Sequence, residues 1–157
     1  MAAQAHRHIL ACMVHRSVSI VPRVAPLAGA ITALEVGEEL TGPGHAFPVR
    51  DIDSLALILT VDGVARAEVN GIPVRHRRGT LVVAAPPFTL TEAGDPLHPW
   101  QARWFLADGA WPRLLSDALA SRPGRVQVCQ PAPRHWLALA GRVIDLGLTQ
   151  AEGWTWD

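Results

Sequence analysis

Three histidines in the middle of the chain are the first candidates for chemistry, because imidazole serves both as a metal ligand and as a general base. His45 stands alone before the segment AFPVR, His76 lies on a predicted strand near a turn, and His98 lies in a predicted loop. A bound ion needs several imidazole and carboxylate ligands that converge on it. The only His-x-His pair is at residues 6–8, near the start of the chain. We therefore expect no bound metal ion.

Nucleophilic side chains form no stronger pattern. Ser54, Ser116 and Ser121 have no base at a spacing that indicates a catalytic pair. Cys12 and Cys129 are far apart and lack the Cys-x-x-Cys or Cys/His spacing of a redox or metal site. We expect both to be free thiols in a reducing cytosol. The residues thus predict neither an enzyme activity nor a cofactor.

Aromatic and charged side chains instead indicate the binding of a small ligand. An inward indole ring offers a flat surface on which a sugar or an aromatic molecule can stack. A guanidinium group can pair with a carboxylate or with sugar hydroxyls. The alternatives are an ordinary core position for the tryptophans and a solvated loop or rim position for the polar residues. The candidate ligand-binding residues are Trp104, Trp100, Arg50, His45 and Glu92.

The composition indicates one globular domain. The 157 residues are 49% hydrophobic, which excludes a disordered protein. The 14 arginines balance 14 acidic residues, so the chain has no electrostatic footprint of a nucleic-acid-binding protein. No apolar run reaches the length of a membrane span, and we expect a cytoplasmic protein with no membrane partner. The first 34 residues contain arginine and no acidic residue, which resembles a targeting segment in composition. Arg16 and Arg23 interrupt any secretory apolar region, so we expect residues 1–30 to be a loosely ordered arm or the result of a misplaced start codon.

Turn signals recur about every eight residues from residue 62 onwards. Asp62-Gly63 and Asn70-Gly71 are typical of two-residue hairpins, because a type I′ turn needs positive φ at both central positions. Arg78-Gly79, Pro86-Pro87 and Gly94-Asp95 continue the series. The segments between them are short and β-branched or alternating, which indicates strands. We predict an antiparallel meander within a barrel over residues 31–109, opened by one or two strands before residue 55.

The last third of the chain changes character. WQARWFLAD (residues 100–108) alternates, with both tryptophans on one face. WPRLLSDALA has apolar residues at helical spacing, and RHWLALAGRVIDLGL predicts a second helix. We therefore expect residues 110–157 to form a helical segment, in which a loop with a short extended stretch separates the two helices. The apolar stripe of the second helix needs a partner surface, either the barrel itself or a second subunit; it comprises Trp136, Leu139, Ala140, Val143 and Leu146.

This arrangement resembles the N-terminal cupin-type sensing and dimerisation domain of AraC-family transcription regulators. The likeness lies in LTVDGVARAEVNGIPVRHRRGTLVVAAPP and in the Trp-x-x-x-Trp pair that is followed by Asp-Gly and a helix. It covers roughly residues 40–120. It implies a mainly β fold: a cupin-like antiparallel barrel of the jelly-roll type, followed by two α-helices.

The resemblance also implies a function. Such a domain binds a small effector, here a sugar or a small organic acid, and an inward aromatic on the strand of Trp104 contacts it. It forms a homodimer through the helix after the barrel. It contacts DNA only through helix-turn-helix units, which would need about 100 further residues and are absent from this chain.

Two departures from the family pattern bear on the choice of function. Thr80 follows the turn glycine where the family usually has Asp, and no His follows Pro86-Pro87 within a few residues. The absence of that His favours sensing over catalysis. The alternatives to a regulator are a free-standing cupin enzyme and a carbohydrate-binding module.

Overall fold

The computed structural model describes residues 3–10, 13–20 and 30–132, together with positions 134, 135, 138, 142 and 145. This part of the chain contains eleven strands, one α-helix (α1, Ala110–Leu119) and a 3₁₀ turn (Pro123–Arg125). The strands are β1 (Ala3–Leu10), β2 (Met13–Ile20), β3 (Ala33–Thr41), β4 (Arg50–Ile52), β5 (Leu55–Asp62), β6 (Val64–Val69), β7 (Ile72–Arg77), β8 (Leu81–Ala84), β9 (Phe88–Gly94), β10 (Trp100–Asp108) and β11 (Val126–Cys129).

The strands form two antiparallel sheets. The larger has the order β1-β2-β3-β10-β5-β8-β11, and the smaller has the order β4-β9-β6-β7. The mainly β prediction is confirmed, but the strands belong to two separate sheets and not to one closed barrel. The segment expected to be a loosely ordered arm contributes β1 and β2, which pair with each other and then with β3.

The predicted meander is wrong, because most turns carry the chain from one sheet to the other. β5 and β8 belong to the larger sheet, whereas β6, β7 and β9 belong to the smaller one. Only Asn70-Gly71 closes a hairpin of the expected kind, and both of its residues have positive φ. At Asp62-Gly63 only the glycine has positive φ, and the strands on either side of it do not pair. A turn dipeptide specifies a local reversal, whereas core packing decides which strand becomes the neighbour.

The main core lies between the two sheets, and β5 explains why it is central. Ala56 and Ile58 point into this core, whereas Leu57 and Leu59 belong to a smaller apolar cluster on the outer face of the larger sheet. That strand is therefore buried on both faces, as its uninterrupted apolar sequence predicts. β6 alternates between buried and exposed residues, which confirms its half-solvated prediction.

Helix α1 is confirmed, and its apolar stripe faces outward. Its buried residues are Pro112, Ser116 and Leu119. Trp111 and Leu114 are both 67% exposed. The sequence predicts two helices, and α1 is the one with described bounds. The described positions of the second predicted helix, 134, 135, 138, 142 and 145, are helical. The other residues of the second predicted helix lie outside the described part of the chain. No helix among the described residues is long and apolar enough to cross a membrane.

Candidate functional site

A cavity of about 200 Å³ lies between the two sheets. Its walls come from β3, β5 and β10 of the larger sheet and from β4 and β9 of the smaller one. Apolar side chains form most of the lining, and four charged residues and one tryptophan interrupt it. The lining residues are Glu35, Glu39, Arg50, Ile52, Ala56, Ile58, Leu90, Glu92, Trp104 and Leu106.

Trp104 reaches the cavity because of the register of β10. In the sheet it lies opposite Gly37 on one side and Ile58 on the other. Side chains on one face of a sheet alternate with those on the other, so Trp104 shares its face with Leu106, which also lines the cavity. Gly37 has no side chain, so the backbone opposite Trp104 carries nothing that would cover this part of the indole ring.

Arg50 and Glu92 are joined by a hydrogen bond at the cavity wall. Arg50 lies opposite Leu90 in the pairing of β4 with β9, which makes Glu92 its diagonal neighbour. The Arg50 Nη2 atom donates a hydrogen bond to Glu92 Oε2. The arginine side chain is 37% exposed, whereas that of Glu92 is 1% exposed. The guanidinium also lies 5.2 Å from the ring centre of Phe47. The pair thus joins the solvent side of the cavity to the protein interior.

Behind Glu92 a line of polar contacts continues into the core. Glu92 Oε1 lies 3.8 Å from His76 Nε2, and both atoms are buried without a hydrogen-bond partner among the described residues. On its other side His76 Nδ1 lies 3.3 Å from the hydroxyl oxygen of Thr60. The indole nitrogen of Trp100 donates a hydrogen bond to that same hydroxyl, at 3.3 Å. A row of polar groups, interrupted by the 3.8 Å gap between Glu92 and His76, therefore extends from the cavity to the buried Trp100.

Burial shifts the pKa values of the two central groups in opposite directions. Desolvation raises the pKa of Glu92 to about 8; the Arg50 guanidinium opposes this shift and the Glu39 carboxylate adds to it. Desolvation lowers the pKa of His76 to about 4. Both groups thus favour the uncharged form near neutral pH, since a low-dielectric environment penalises either charge.

The five predicted ligand-binding residues separate into two groups. Arg50, Glu92 and Trp104 line the same cavity. Trp100 does not line it, because its side chain is fully buried in the core and packs against His76 with ring centres 5.3 Å apart. His45 does not line it either; its ring contacts Phe47 edge-on at 4.9 Å. The ligand-binding role of all five stays a prediction.

Sequence reasoning missed Glu35 and Glu39. Both lie on β3 with Gly37 between them, and the period of two along a strand places all three on one face. That alternation was visible in the segment EVGEE, but a sequence alone does not show which face of a strand meets a cavity. The predicted dimer-interface residues Trp136, Leu139, Ala140, Val143 and Leu146 lie outside the described residues.

Among the described residues, no group of three or more His, Cys, Asp or Glu side chains is arranged to hold a metal ion. The described cysteine, Cys129, is a free thiol.

Comparison with known proteins identifies the fold. No protein-family model and no curated protein matches the sequence. Among solved structures, the chain is similar to hazelnut (Corylus avellana) vicilin, with a TM-score of 0.54 and 10% identity over 80% of this chain and 33% of that one. It is also similar to Bacillus subtilis oxalate decarboxylase, with a TM-score of 0.52 and 15% identity over 76% of this chain and 32% of that one.

A third similar structure is the 7S globulin of Momordica charantia, with a TM-score of 0.50 and 17% identity over 80% of this chain and 34% of that one. The chain thus spans about a third of the length of each of these proteins. They include an enzyme and storage globulins, so at these identities the likeness shows the fold alone. The chain has a cupin fold.

Proposed function

We propose that this chain is the effector-binding and dimerisation domain of an AraC-type transcription regulator. In this proposal a small molecule occupies the cavity between the sheets, and the domain acts by binding and not by catalysis. As the AraC resemblance implies, DNA would be contacted by separate helix-turn-helix units and not by this domain.

The cavity is the observation that carries the proposal. Its walls are apolar, and a few polar groups converge on it, which is the usual composition of a small-molecule site. Its volume of about 200 Å³ is smaller than the roughly 300–1,000 Å³ typical of sites for drug-sized ligands. The effector would therefore be a small metabolite. Trp104 supplies a flat apolar surface, and Arg50 supplies donors close to the solvent side.

Three further features support a regulator over a free-standing binding module. The cupin fold agrees with the fold that the AraC resemblance implies. The strand-and-turn order over residues 40–120 and the Trp-x-x-x-Trp pair are the sequence features of that resemblance. The outward apolar stripe of α1 also leaves a surface that packing on the sheets does not use.

The regulator proposal is tested on the gene and on the protein. Reading the genomic DNA beyond the codon for Asp157 should reveal an open reading frame that continues into two helix-turn-helix units. The purified chain should bind one small molecule per subunit in a metabolite screen by thermal shift, confirmed by calorimetry. Stoichiometric iron, zinc or manganese together with turnover of a bound compound would contradict the proposal and favour a cupin enzyme.

A further inference from the structure

We propose that Thr60 and His76 are positioning residues for the candidate ligand-binding cavity. Thr60 fixes the proton of the uncharged His76 ring on Nε2, and this N–H group faces Glu92, the partner of Arg50 at the cavity wall. Both Thr60 and His76 are fully buried and lie behind the residues that line the cavity. The inference rests on the proposed function, because it concerns how the proposed effector site is held and regulated.

The position of the His76 proton follows from the groups around Thr60. The indole N–H of Trp100 donates to the Thr60 hydroxyl oxygen and has no capacity to accept. Among the described residues, His76 Nδ1 is the other side-chain atom that contacts this hydroxyl, at 3.3 Å. Thr60 therefore donates its own hydrogen to Nδ1. Because burial lowers the pKa of His76 to about 4, the ring is uncharged at pH 7 and its proton lies on Nε2.

Small side chains on β6 allow His76 and Glu92 to approach each other. His76 on β7 lies opposite Ala65, and Glu92 on β9 lies opposite Ala67, so the pair comes from the two strands that flank β6. Both alanines are buried in the core between the sheets. They lie on one face of β6, and neither extends a long side chain between the histidine and the glutamate. His76 Nε2 thus comes within 3.8 Å of Glu92 Oε1 across β6.

Both carboxyl oxygens of Glu92 face N–H donors. Arg50 Nη2 donates to Oε2, and the Nε2–H group of His76 faces Oε1. When Glu92 is protonated, one of its oxygens carries a hydrogen and meets the neighbouring N–H group donor to donor. The gap of 3.8 Å at Oε1 agrees with a proton at that oxygen. Loss of this proton makes Oε1 an acceptor for His76 while Arg50 keeps Oε2, so the two donors favour ionised Glu92.

Arg50 links this arrangement to the binding of an acidic effector. Arg50 from β4, His76 from β7 and Glu39 from β3 act on Glu92, and Glu35 lines the same cavity. Burial raises the pKa of Glu92 to about 8, so at pH 7 the positive charge of Arg50 is available to a ligand carboxylate. Ionised Glu92 compensates that charge, so the affinity for such a ligand should fall as pH rises above about 8. The His76 N–H group favours ionised Glu92 and thereby lowers the pH at which the fall begins.

The proton assignment is tested by NMR of the whole chain with ¹⁵N-labelled histidine rings. At pH 7 the His76 ring should be protonated at Nε2 and unprotonated at Nδ1. Its signals are assigned by their proximity to the Trp100 ring, whose centre lies 5.3 Å from that of His76. A ring protonated at Nδ1 or at both nitrogens would overturn the proposal, whether or not the chain binds an effector.

A pair of threonine variants separates positioning from packing. In Thr60→Val the ring loses the donor at Nδ1, so it carries its proton there and accepts the Glu92 O–H group at Nε2. Uncharged Glu92 is then stabilised, and the titration of its carboxyl carbon should move to higher pH, whereas Thr60→Ser should retain the original titration. Thr41→Val is the matched control, because Thr41 is equally buried and its hydroxyl donates to the Trp100 carbonyl oxygen instead of to His76. Equal titrations in Thr60→Val and Thr41→Val would overturn the proposal.

The effect on the effector site is measured with cyclopentanecarboxylate, and cyclopentanol is the uncharged control of similar shape. Calorimetry of the whole chain should show the carboxylate binding about three- to tenfold more weakly at about pH 9 than at about pH 7, with the affinity for the alcohol unchanged. This loss should shrink in Thr60→Val and persist in Thr41→Val. The same loss in both variants would overturn the proposal and leave the proposed function standing. No binding of the carboxylate would overturn the role of Arg50, and together with no hit in the metabolite screen it would contradict the proposed function as well.

Discussion

The side chains of Glu92 and His76 face each other in the protein interior, with Oε1 and Nε2 3.8 Å apart. This distance exceeds that of a hydrogen bond, and neither atom has a hydrogen-bond partner in the part of the chain that the structure describes. Arg50 holds the second oxygen of Glu92, and Thr60 contacts the second nitrogen of His76. Glu92 and His76 thus each have one polar atom held by a neighbour, while the two atoms that face each other form no hydrogen bond.

This arrangement predicts how the free energy of unfolding depends on pH. The pKa of Glu92 is about 8 in the folded chain against its ordinary value of 4.5, so the folded state holds the extra proton between these values and stability falls as pH rises through them. The pKa of His76 is lowered from 6.5 to about 4, so stability falls as pH drops through that window. The two effects offset each other between pH 4.5 and 6.5.

Above pH 6.5 the Glu92 contribution is unopposed. We expect the free energy of unfolding to fall by about 2 kcal/mol between pH 6.5 and 8, from 1.4 kcal/mol per pH unit. Urea unfolding at pH 5, 6.5 and 8 measures this. Glu92→Gln should remove the decline and Glu68→Gln should retain it. A decline of the same size in Glu92→Gln would show that another group causes it.

The two tryptophans of β10 should respond differently to the same substitution. Trp100 is fully buried in the core, so Trp100→Ala should lower the free energy of unfolding by about 3–5 kcal/mol. Trp104 is only partly buried and lines the cavity, so Trp104→Ala should destabilise less and should weaken binding of the best screened ligand about tenfold. Urea unfolding and calorimetry measure the two effects. Unchanged ligand affinity in Trp104→Ala would remove this residue from the site.

Two turn glycines with nearly the same φ provide a matched test of close packing. Gly63 has φ of +77°, and a Cβ atom there would lie 1.8 Å from the carbonyl oxygen of Pro99. Gly71 has φ of +75°, and a Cβ atom there would meet nothing within 4 Å. Gly71→Ala should lower the free energy of unfolding by about 1–2 kcal/mol, the strain of positive φ alone. Gly63→Ala should lower it by at least about 3 kcal/mol, because the backbone at Pro99 must also move. Equal losses would refute the close approach.

The proposed dimer is tested at the second predicted helix. Leu139→Asp with Val143→Asp should convert a dimer into a monomer in sedimentation equilibrium, because two charges cannot be buried in an apolar interface without partners. The control is Val49→Asp with Leu97→Asp, since these apolar residues are 68% and 80% exposed. The control variant should remain dimeric. A monomeric unchanged protein, or a dimeric Leu139/Val143 variant, would contradict an interface at this helix.

Much of the local structure could be predicted from the sequence. The alternation of VARAEV, the apolar run of β5 and the Asn70-Gly71 hairpin all appear as expected, because they depend on neighbours in the chain. The path of the chain between sheets could not be predicted in this way. Gly63 illustrates the reason: its role depends on Pro99, which lies far away in sequence and meets it only in the folded protein.

The same division applies to the candidate site. By residue type and strand pattern, the sequence identified Arg50, Glu92 and Trp104 as candidate ligand-binding residues. Only the tertiary structure decided that these three share a cavity with Glu35 and Glu39, while Trp100, on the same face of β10 as Trp104, packs in the core. Sequence periodicity specifies the face of a strand, but the opposing sheet determines whether that face meets packed side chains or an open cavity.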